Sequence, residues 1–397
     1  MTPEHEPFAP PPQDGGWRPY LAPRRVVWGP GAADRVGALA AEFGQAAFLV
    51  TYPPGRTTGS GGPGRVESSL AHAGLRVARH EIPADPDVDA VDAAAAACRA
   101  AGAAVVVGVG GGGPLDAAKA VAALAVNPGT AEEYQLGRAL EIQPLPFLAV
   151  PTTVGTGSEA NMVAVLRNRR LGVVRSIREP KMVPAAAVLD PLLLAGLPPR
   201  LLRLGACDAL AHGIESYLSL GATPFTRALS FEGVRLVSEG LRALAAGAPD
   251  AEAAPGMLLG SSFAGMALQA GPGLAHVLAQ PITAVTGIPH SAAIAALLPR
   301  TVGFNQERCP GDEAHRALAA LVEPHGDGDL AGALRRLLDA AGAGVTLQGL
   351  GARPGHIPAI LQAVLGSTAH IGGNPVRLDM ATVEGVLAEA LAAPPAG

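Results

Sequence analysis

The stretch that decides the fold reads AAVVVGVGGGGPLDAAKA and spans residues 103–120. Its uninterrupted valines are typical of a buried parallel strand. Five of the six residues 108–113 are glycine, and Pro114 then predicts the start of a helix that carries Asp116 and Lys119. Glycines at a strand-to-helix turn let backbone N–H groups approach a pyrophosphate, although tight turns also need glycine for steric reasons alone. The spacing differs from GxGxxG followed by an acidic residue about 20 positions later, so the turn is a candidate dinucleotide site and no more.

Strand and helix patterns alternate on both sides of this stretch. Strands are predicted near Arg25–Gly29, Ala46–Thr51, Leu75–Glu81, Ala103–Val109, Phe147–Val150 and Ala186–Leu189. Helices are predicted between them over Gly31–Phe43, Arg65–Ala73, Asp87–Ala101 and Leu115–Ala125. This alternation implies a parallel sheet that is covered by helices on both faces.

A second candidate nucleotide segment reads PFLAVPTTVGTGSEANMVAV, residues 146–165. Hydroxyls from Thr152, Thr153 and Thr156 follow a predicted strand, on a loop that contains two glycines. Such a loop can hydrogen-bond ribose or phosphate oxygens. The segment alone fits a polar surface turn equally well.

Four residues in the second half of the chain have the spacing of metal ligands. Asp208 and His212 are four residues apart in GACDALAHGIESY, so a helix would project both from one face. His276 and His290 are fourteen residues apart, and a second helix with the loop after it could complete the set. One carboxylate and three imidazoles suit Fe²⁺, Zn²⁺, Co²⁺ or Ni²⁺ better than Ca²⁺ or Mg²⁺. Taken in isolation, Asp208 and His212 would instead be a capped or solvated pair.

The sequence pattern changes after Asp190. Ala/Leu-rich segments with a 3.6-residue periodicity replace the strands, so we place the domain boundary near Pro191. The expected divisions are a flexible tail over residues 1–20, a dinucleotide-binding α/β domain over residues 21–190 and a helical metal-binding domain over residues 191–397.

Composition indicates an ordinary globular protein. The chain has 397 residues, 49% of them hydrophobic, and a net charge of −5. It therefore lacks the surplus of basic residues that is typical of nucleic-acid-binding proteins. No apolar run reaches the roughly 18 residues of a membrane helix, and the opening MTPEHEPFAPPPQDGG lacks the features of a secretory signal. Cys98, Cys207 and Cys309 are too far apart to indicate a disulfide framework, which is consistent with a reducing cytoplasm.

The three motif segments, taken together and in order, resemble the iron-containing (group III) alcohol dehydrogenases. The resemblance runs from about Arg25 to about Glu389 and includes DALAHGIESY and HVLAQPITAVTGIPHSAAIAALLP. It implies an α/β N-terminal Rossmann-like parallel-sheet domain plus an all-α C-terminal domain, the dehydroquinate synthase-like or group III alcohol dehydrogenase fold. It also implies a cytoplasmic, homodimeric oxidoreductase that moves a hydride between NAD(P)H and a small aldehyde, ketone or alcohol, in the cleft between its domains.

The resemblance assigns a role to each candidate residue. It places Gly111, Gly112, Gly113 and Asp116 on the pyrophosphate and nicotinamide side of the cofactor, with Asp116 also a candidate catalytic residue, and Thr152, Thr153 and Thr156 at nucleotide-contacting positions. It aligns Asp208, His212, His276 and His290 with the family's metal ligands. The metal, Fe²⁺ or else Zn²⁺, would act as a Lewis acid on the substrate oxygen while the hydride is transferred.

Three positions depart from the family pattern. Gln280 stands four residues after the third ligand, where the family usually has a histidine close to the nicotinamide. Glutamine can orient an oxygen but cannot exchange a proton near neutral pH, so a proton relay through this position is absent or passes through water. Gly113 replaces a serine, with the loss of one hydroxyl contact, and Val174 stands where a lysine is common, with Arg175 beside it. These changes favour a specialised member of the family.

The choice between NAD(H) and NADP(H) depends on the end of the second strand, FLVTYPPGR. Many NAD-using members have an aspartate where this chain has Tyr52, and that charge would repel a 2′-phosphate. Arg56 could pair with such a phosphate, or it could face solvent. The sequence therefore slightly favours NADP(H) over NAD(H).

Two other functions keep the same fold. A sugar-phosphate cyclase such as dehydroquinate synthase needs several basic residues for its substrate, whereas this chain has two lysines, Lys119 and Lys181. A catalytically weak nucleotide-binding homologue would fit Gln280, but not four intact metal-ligand positions. Small, mostly apolar residues around Met162, Val163 and Leu268 are compatible with many small aldehydes or ketones, so the sequence does not identify the substrate.

Overall fold

The computed structural model describes residues 19–53, 61–309, 311–365 and 371–392. These residues form two compact units. The first runs over Leu21–Pro198, and the second begins at Pro199 and also includes the described residues that precede Leu21. The tail expected over residues 1–20 lies outside the described residues except for its last two. Arg56 lies outside them as well.

The first unit contains a six-stranded parallel sheet with the strand order β1-β8-β5-β4-β2-β3. Its strands are β1 (Arg25–Trp28), β2 (Ala46–Thr51), β3 (Arg76–Glu81), β4 (Val105–Gly110), β5 (Phe147–Pro151) and β8 (Ala186–Leu189). The two strands between β5 and β8, β6 (Val163–Asn168) and β7 (Val173–Arg178), form a separate hairpin. All six strands expected from the sequence are present in this sheet, so the predicted parallel α/β architecture is confirmed.

Five α-helices of the described chain belong to this unit. They are α1 (Val36–Ala41), α2 (Gly62–His72), α3 (Val88–Ala100), α4 (Gly112–Leu124) and α5 (Ala131–Gln135). Alternate residues of the central strands enter two different cores: Phe48 and Val106 belong to one, Leu49 and Val107 to the other. The sheet is therefore covered on both faces, which explains why its four inner strands are apolar without alternation.

The antiparallel hairpin of β6 and β7 was not expected from the sequence. Its register runs from Val163 opposite Arg178 to Asn168 opposite Val173. Ala164 and Leu166 are buried, whereas Val163 and Val165 lie on a less buried face but are equally apolar. The hydrophobic pattern therefore lacks the period of two that identifies a strand with one exposed face.

The second unit is helical throughout its described part, which confirms the predicted all-α domain. Its helices are α6 (Pro199–Leu218), α7 (Pro224–Ala245), α8 (Asp250–Ala267), α9 (Leu274–Thr286), α10 (His290–Arg308), α11 (Glu313–Val322), α12 (Leu330–Ala340), α13 (Ile357–Leu365) and α14 (Met380–Ala390). Helix α6 packs against α7, α8 and α10, and most of its residues are buried, so it is the central helix of the unit. Among the described residues, no helix has the length and apolar character needed to cross a bilayer.

Candidate metal and nucleotide sites

Helix α6 carries two carboxylates and a histidine that are buried among mostly apolar residues. Asp208, His212 and Glu215 are spaced by four and three residues, so they lie along one face of the helix. Buried ionisable groups are costly unless they are paired or bind a metal. The buried face of α6 is therefore the starting point of a polar site.

Two further histidines reach this site from helix ends. His276 lies in the first turn of α9, and His290 is the first residue of α10. Gly287 ends α9 with a left-handed conformation, φ 74°, which lets the chain turn sharply into Pro289, the N-cap of α10. The ring centroids of the two imidazoles are 5.6 Å apart.

Asp208, His276 and His290 have the geometry of a metal-binding group. One potential ligand atom from each lies within 4.8 Å of the others. The Nε2 atoms of His276 and His290 are 3.4 Å and 3.7 Å from Oδ1 of Asp208. Ligands at 2.0–2.2 Å from a tetrahedral ion lie about 3.4 Å apart, so these separations fit a Zn²⁺- or Fe²⁺-sized cation.

Two of these three atoms lack hydrogen-bond partners among the described residues. Oδ1 of Asp208 and Nε2 of His276 are both buried, and neither has a partner in the described part of the chain. Leaving such groups unsatisfied costs about 1–3 kcal/mol each, and a shared cation would satisfy both. This observation supports a metal site more directly than the residue spacing does.

The electrostatics of these residues also favour a cation. Burial alone would raise the pKa of Asp208, but His212 and the other imidazoles hold it down at about 2, so the carboxylate is ionised. Burial lowers the pKa of His290, which favours the neutral ring that can donate a lone pair. Burial opposes charge on His276 too, but Glu215 and Asp208 raise its pKa to about 10, so this position attracts positive charge.

His212, the fourth predicted ligand, lies beside the other three. Its ring stacks on that of His276, with centroids 4.3 Å apart and an interplanar angle of 20°. It is not part of the group whose ligand atoms lie within 4.8 Å of one another. The structure therefore brings three predicted ligands close enough to share one cation, and it stacks the ring of the fourth on His276. Ligation by His212 stays a prediction.

Glu215 is a site residue that the sequence analysis missed. Its carboxylate accepts hydrogen bonds from Nδ1 of His276 at 2.6 Å and from the backbone N–H groups of Gly273 and Ala275 at 2.9 and 2.6 Å. Because an ionised carboxylate only accepts, Nδ1 carries a hydrogen, and Nε2 is the ring nitrogen that could offer a lone pair to a metal once its own proton is lost. The signal that could have identified Glu215 is an acid seven residues after Asp208 on a helix face that is otherwise apolar.

The first unit brings the predicted nucleotide residues together at the start of α4. The Gly111 N–H donates to the Tyr52 hydroxyl at 3.3 Å. A Cβ atom on Gly111 would lie 3.0 Å from Oγ1 of Thr153, and one on Gly112 would lie 2.9 Å from Cγ2 of Thr156. The glycines thus permit close packing between the turn and the loop after β5, and they leave the first N–H groups of α4 uncovered by side chains of their own.

Gly113 is confined by backbone rather than by side chains. A Cβ atom at this position would lie 2.2 Å from the carbonyl oxygen of Ala84. The family's serine therefore cannot be accommodated here unless the chain near Ala84 moves. The departure at Gly113 reflects a close approach of two backbone segments, in addition to the lost hydroxyl.

Asp116 and Thr152 are engaged within the fold. Asp116 accepts hydrogen bonds from the Ser158 hydroxyl and, at 3.1 Å, from the Val165 N–H, and burial raises its pKa. Thr152 is buried, and its N–H donates to the Gly110 carbonyl at 2.9 Å. Direct contact of either residue with a cofactor stays a prediction.

Gln280 lies on α9, one turn after His276, and is half-buried. This places the departure from the family's histidine on the helix that also supplies a candidate metal ligand. Its part in proton transfer stays a prediction.

Comparisons with known proteins find the same kind of relative along most of the chain. Sequence models of the iron-containing alcohol dehydrogenases match residues 23–191, and those of the C-terminal part of the Fe-containing alcohol dehydrogenase family match residues 204–391. The probable alcohol dehydrogenase EutG of Escherichia coli (strain K12) is 32% identical over 379 residues, 94% of each chain.

Two solved structures show the same fold. A 1,3-propanediol oxidoreductase superposes with a TM-score of 0.87 at 28% identity, covering 94% of this chain and 100% of that one. A sulfoacetaldehyde reductase from Bifidobacterium kashiwanohense, solved in complex with NAD⁺, superposes with a TM-score of 0.84 at 26% identity, covering 96% and 100%.

Proposed function

Because this chain belongs to the iron-containing alcohol dehydrogenase family, we propose that its two units supply a nucleotide site and a metal site for one reaction. The protein is an oxidoreductase, an alcohol dehydrogenase or aldehyde reductase, that transfers a hydride between a nicotinamide nucleotide and a small alcohol or aldehyde. A sugar-phosphate cyclase is not favoured, because the relatives are dehydrogenases and reductases.

Asp208, His276 and His290, completed by His212, would hold the divalent cation. Family membership favours Fe²⁺, and the ligand types would also suit Zn²⁺. Either ion would supply Lewis acidity toward the substrate oxygen. The observation that carries this assignment is the pair of buried atoms, Oδ1 of Asp208 and Nε2 of His276, which lie 3.4 Å apart and have no hydrogen-bond partner within the described ranges. Glu215 would keep the His276 ring in the tautomer that ligation requires.

The nucleotide would bind at the start of α4, with its pyrophosphate on the backbone of the turn Gly111–Gly113. Thr153 and Thr156, which pack over that turn, would contribute hydroxyls. Tyr52 at the end of β2 carries no charge that would repel a 2′-phosphate, so we propose that NADP(H) is accepted as well as NAD(H). Burial raises the pKa of Tyr52, which keeps its hydroxyl neutral.

The substrate we propose is a short aldehyde or its alcohol. The compounds in the names of the two solved neighbours, propanediol and sulfoacetaldehyde, have three-carbon and two-carbon chains. Gln280 can hydrogen-bond such a molecule but cannot relay its proton, so we propose that the proton reaches water directly.

The proposal also covers the cellular location, the oligomeric state and the domain boundary. Three unpaired cysteines, Cys98, Cys207 and Cys309, support a cytoplasmic protein. Family membership supports a homodimer, which light scattering of the purified protein would test. The change of pattern at Pro191 supports a domain boundary there, which limited proteolysis would test.

The first experiment combines metal analysis with an activity screen. The purified protein is expected to carry about one divalent metal per chain and to oxidise NADH or NADPH with short aldehydes. His276→Ala should lose most of the metal, because three remaining groups cannot close the coordination shell. His72→Ala, which changes an exposed histidine of α2, is the matched control. Undiminished metal in His276→Ala would exclude the assignment.

A further inference from the structure

Lys119 is a fully buried cation in α4, outside the metal site. A lysine ammonium has three N–H donors, and here each has one acceptor. These are Oγ of Ser158 and Oδ1 of Asn161, both at 3.2 Å, and the carbonyl oxygen of Val163 at 2.5 Å. All three acceptors lie between Thr152 and Val163, the segment joining β5 to β6, which we call the threonine loop.

A carboxylate completes this network. Oδ1 of Asp116, one turn before Lys119 on α4, lies 3.8 Å from Nζ and accepts the Ser158 hydroxyl hydrogen. The other oxygen of Asp116 accepts from the Val165 N–H, so the network also reaches β6. A buried ion pair persists only where its hydrogen bonds are satisfied, as they are in this one. Two residues of one helix therefore hold both the middle and the end of the threonine loop.

The same loop carries the hydroxyls that lie over the glycine turn. Thr153 and Thr156 approach within 3.0 and 2.9 Å of where Cβ atoms on Gly111 and Gly112 would be. The Lys119 side chain has no exposed surface, so it cannot itself touch a bound nucleotide. Any effect of Lys119 on the nucleotide must therefore pass through the position of the loop.

We propose that Lys119 is a positioning residue, and that with Asp116 it fixes the threonine loop at the distance from the glycine turn that nucleotide binding requires. The proposal rests on the proposed function, because it takes the turn and the loop to be the nucleotide site. It also gives Asp116 a role in holding the loop, in place of a direct catalytic one.

The test compares Lys119→Met with Lys181→Met, which changes the only other lysine, an exposed one that donates to the Leu140 carbonyl. Amide hydrogen exchange over residues 152–165 is expected to speed up in Lys119→Met and to stay unchanged in Lys181→Met. NAD(P)H affinity, measured by fluorescence titration, should fall about tenfold or more in Lys119→Met alone. The Michaelis constant for the nucleotide should rise while kcat at saturation stays nearly constant, and metal content should be unaffected.

A second variant covers the case in which Lys119→Met does not fold. Ser158→Ala removes one acceptor of Lys119 and one donor to Asp116 with little change in volume, and should produce smaller shifts in the same direction. Wild-type exchange rates and wild-type nucleotide affinity in whichever variants fold would overturn the proposal. If the wild-type protein bound neither NADH nor NADPH, the proposed function would fail instead, and the exchange rates would still decide whether Lys119 holds the loop.

Discussion

At Glu215, one carboxylate accepts three hydrogen bonds and so joins two helices at the metal site. It sits on α6, and its donors are at the start of α9, about sixty residues later in the chain. A Cβ atom on Gly273 would lie within 2.9 Å of its side chain, so the approach is close. The orientation of His276 therefore depends on a residue that need not touch the metal.

We predict that Glu215→Ala weakens metal binding about 10- to 100-fold, because the His276 ring loses the acceptor that fixes its tautomer. Competition with a chromophoric chelator measures the affinity. Glu215→Gln, which retains one acceptor oxygen, should lie between the wild type and Glu215→Ala. Glu232→Ala, which removes an acid of α7 paired with Arg235, is the control and should bind metal normally. Equal affinities in all four proteins would rule out this role.

Glu215 also shows what the sequence alone could not reveal at this scale. Asp208, His276 and His290 could be predicted because ligand residue types at suitable spacings are few. Two of the partners of Glu215 are backbone N–H groups, which every residue except proline has, so no residue type signals them. The same holds for Gly113, whose constraint is the carbonyl of Ala84.

Among the elements, α4 shows how closely a helix start can be fitted to its surroundings. We predict that Gly113→Ser destabilises the protein by about 1–3 kcal/mol, because its Cβ would overlap the Ala84 carbonyl. Nucleotide binding should weaken too, although the serine restores the family's hydroxyl. Urea denaturation measures the first effect and calorimetric titration the second.

The control for this prediction is Gly64→Ser on α2, where a Cβ atom would meet no atom within 4 Å. It should change stability by a few tenths of a kcal/mol at most. If Gly113→Ser were as stable as the wild type and bound nucleotide more tightly, the close approach would be unimportant and the missing hydroxyl would be the relevant difference.

The elements differed in how well the sequence predicted them. The inner parallel strands were predictable because burial on both faces demands uninterrupted apolar residues, as in Val105–Val107. The β6–β7 hairpin was not, because Val163 and Val165 obscure its alternation. The start of α4 was predicted at Pro114 but lies two residues earlier, because Gly112 and Gly113 adopt helical conformation under tertiary contacts that propensity does not include.

For the whole molecule, the two compact units imply that the two ligands stabilise different parts of the chain. We predict that removing the metal with a chelator accelerates amide exchange in α6 and α9 but leaves the β4–β5 region unchanged. A ligand present at a hundred times its dissociation constant stabilises the state that binds it by about 2.7 kcal/mol. Amide hydrogen exchange resolves a difference of this size easily. Saturating NAD(P)H should protect β4, α4 and the threonine loop instead. Uniform protection by either ligand would mean that the units unfold as one.

The division of the chain was suggested by the loss of strand patterns after Asp190. The structural units meet in sequence at Pro198 and Pro199, after a short helical turn over Pro191–Leu194 that the pattern could not assign to either side. The boundary near Pro191 stays a prediction, because a single turn is too short to show a period.

The burial of Lys119 also determines how the protein can be handled chemically. Of the two lysines, Lys119 has no exposed side-chain surface and Lys181 is exposed. Amine-directed acylating reagents should therefore modify the folded protein at Lys181 and at the α-amino group, and a bifunctional cross-linker would have few sites to join. Attachment to a surface through Lys181 would hold the molecules in nearly uniform orientation, and acylation of Lys119 would report that α4 had opened.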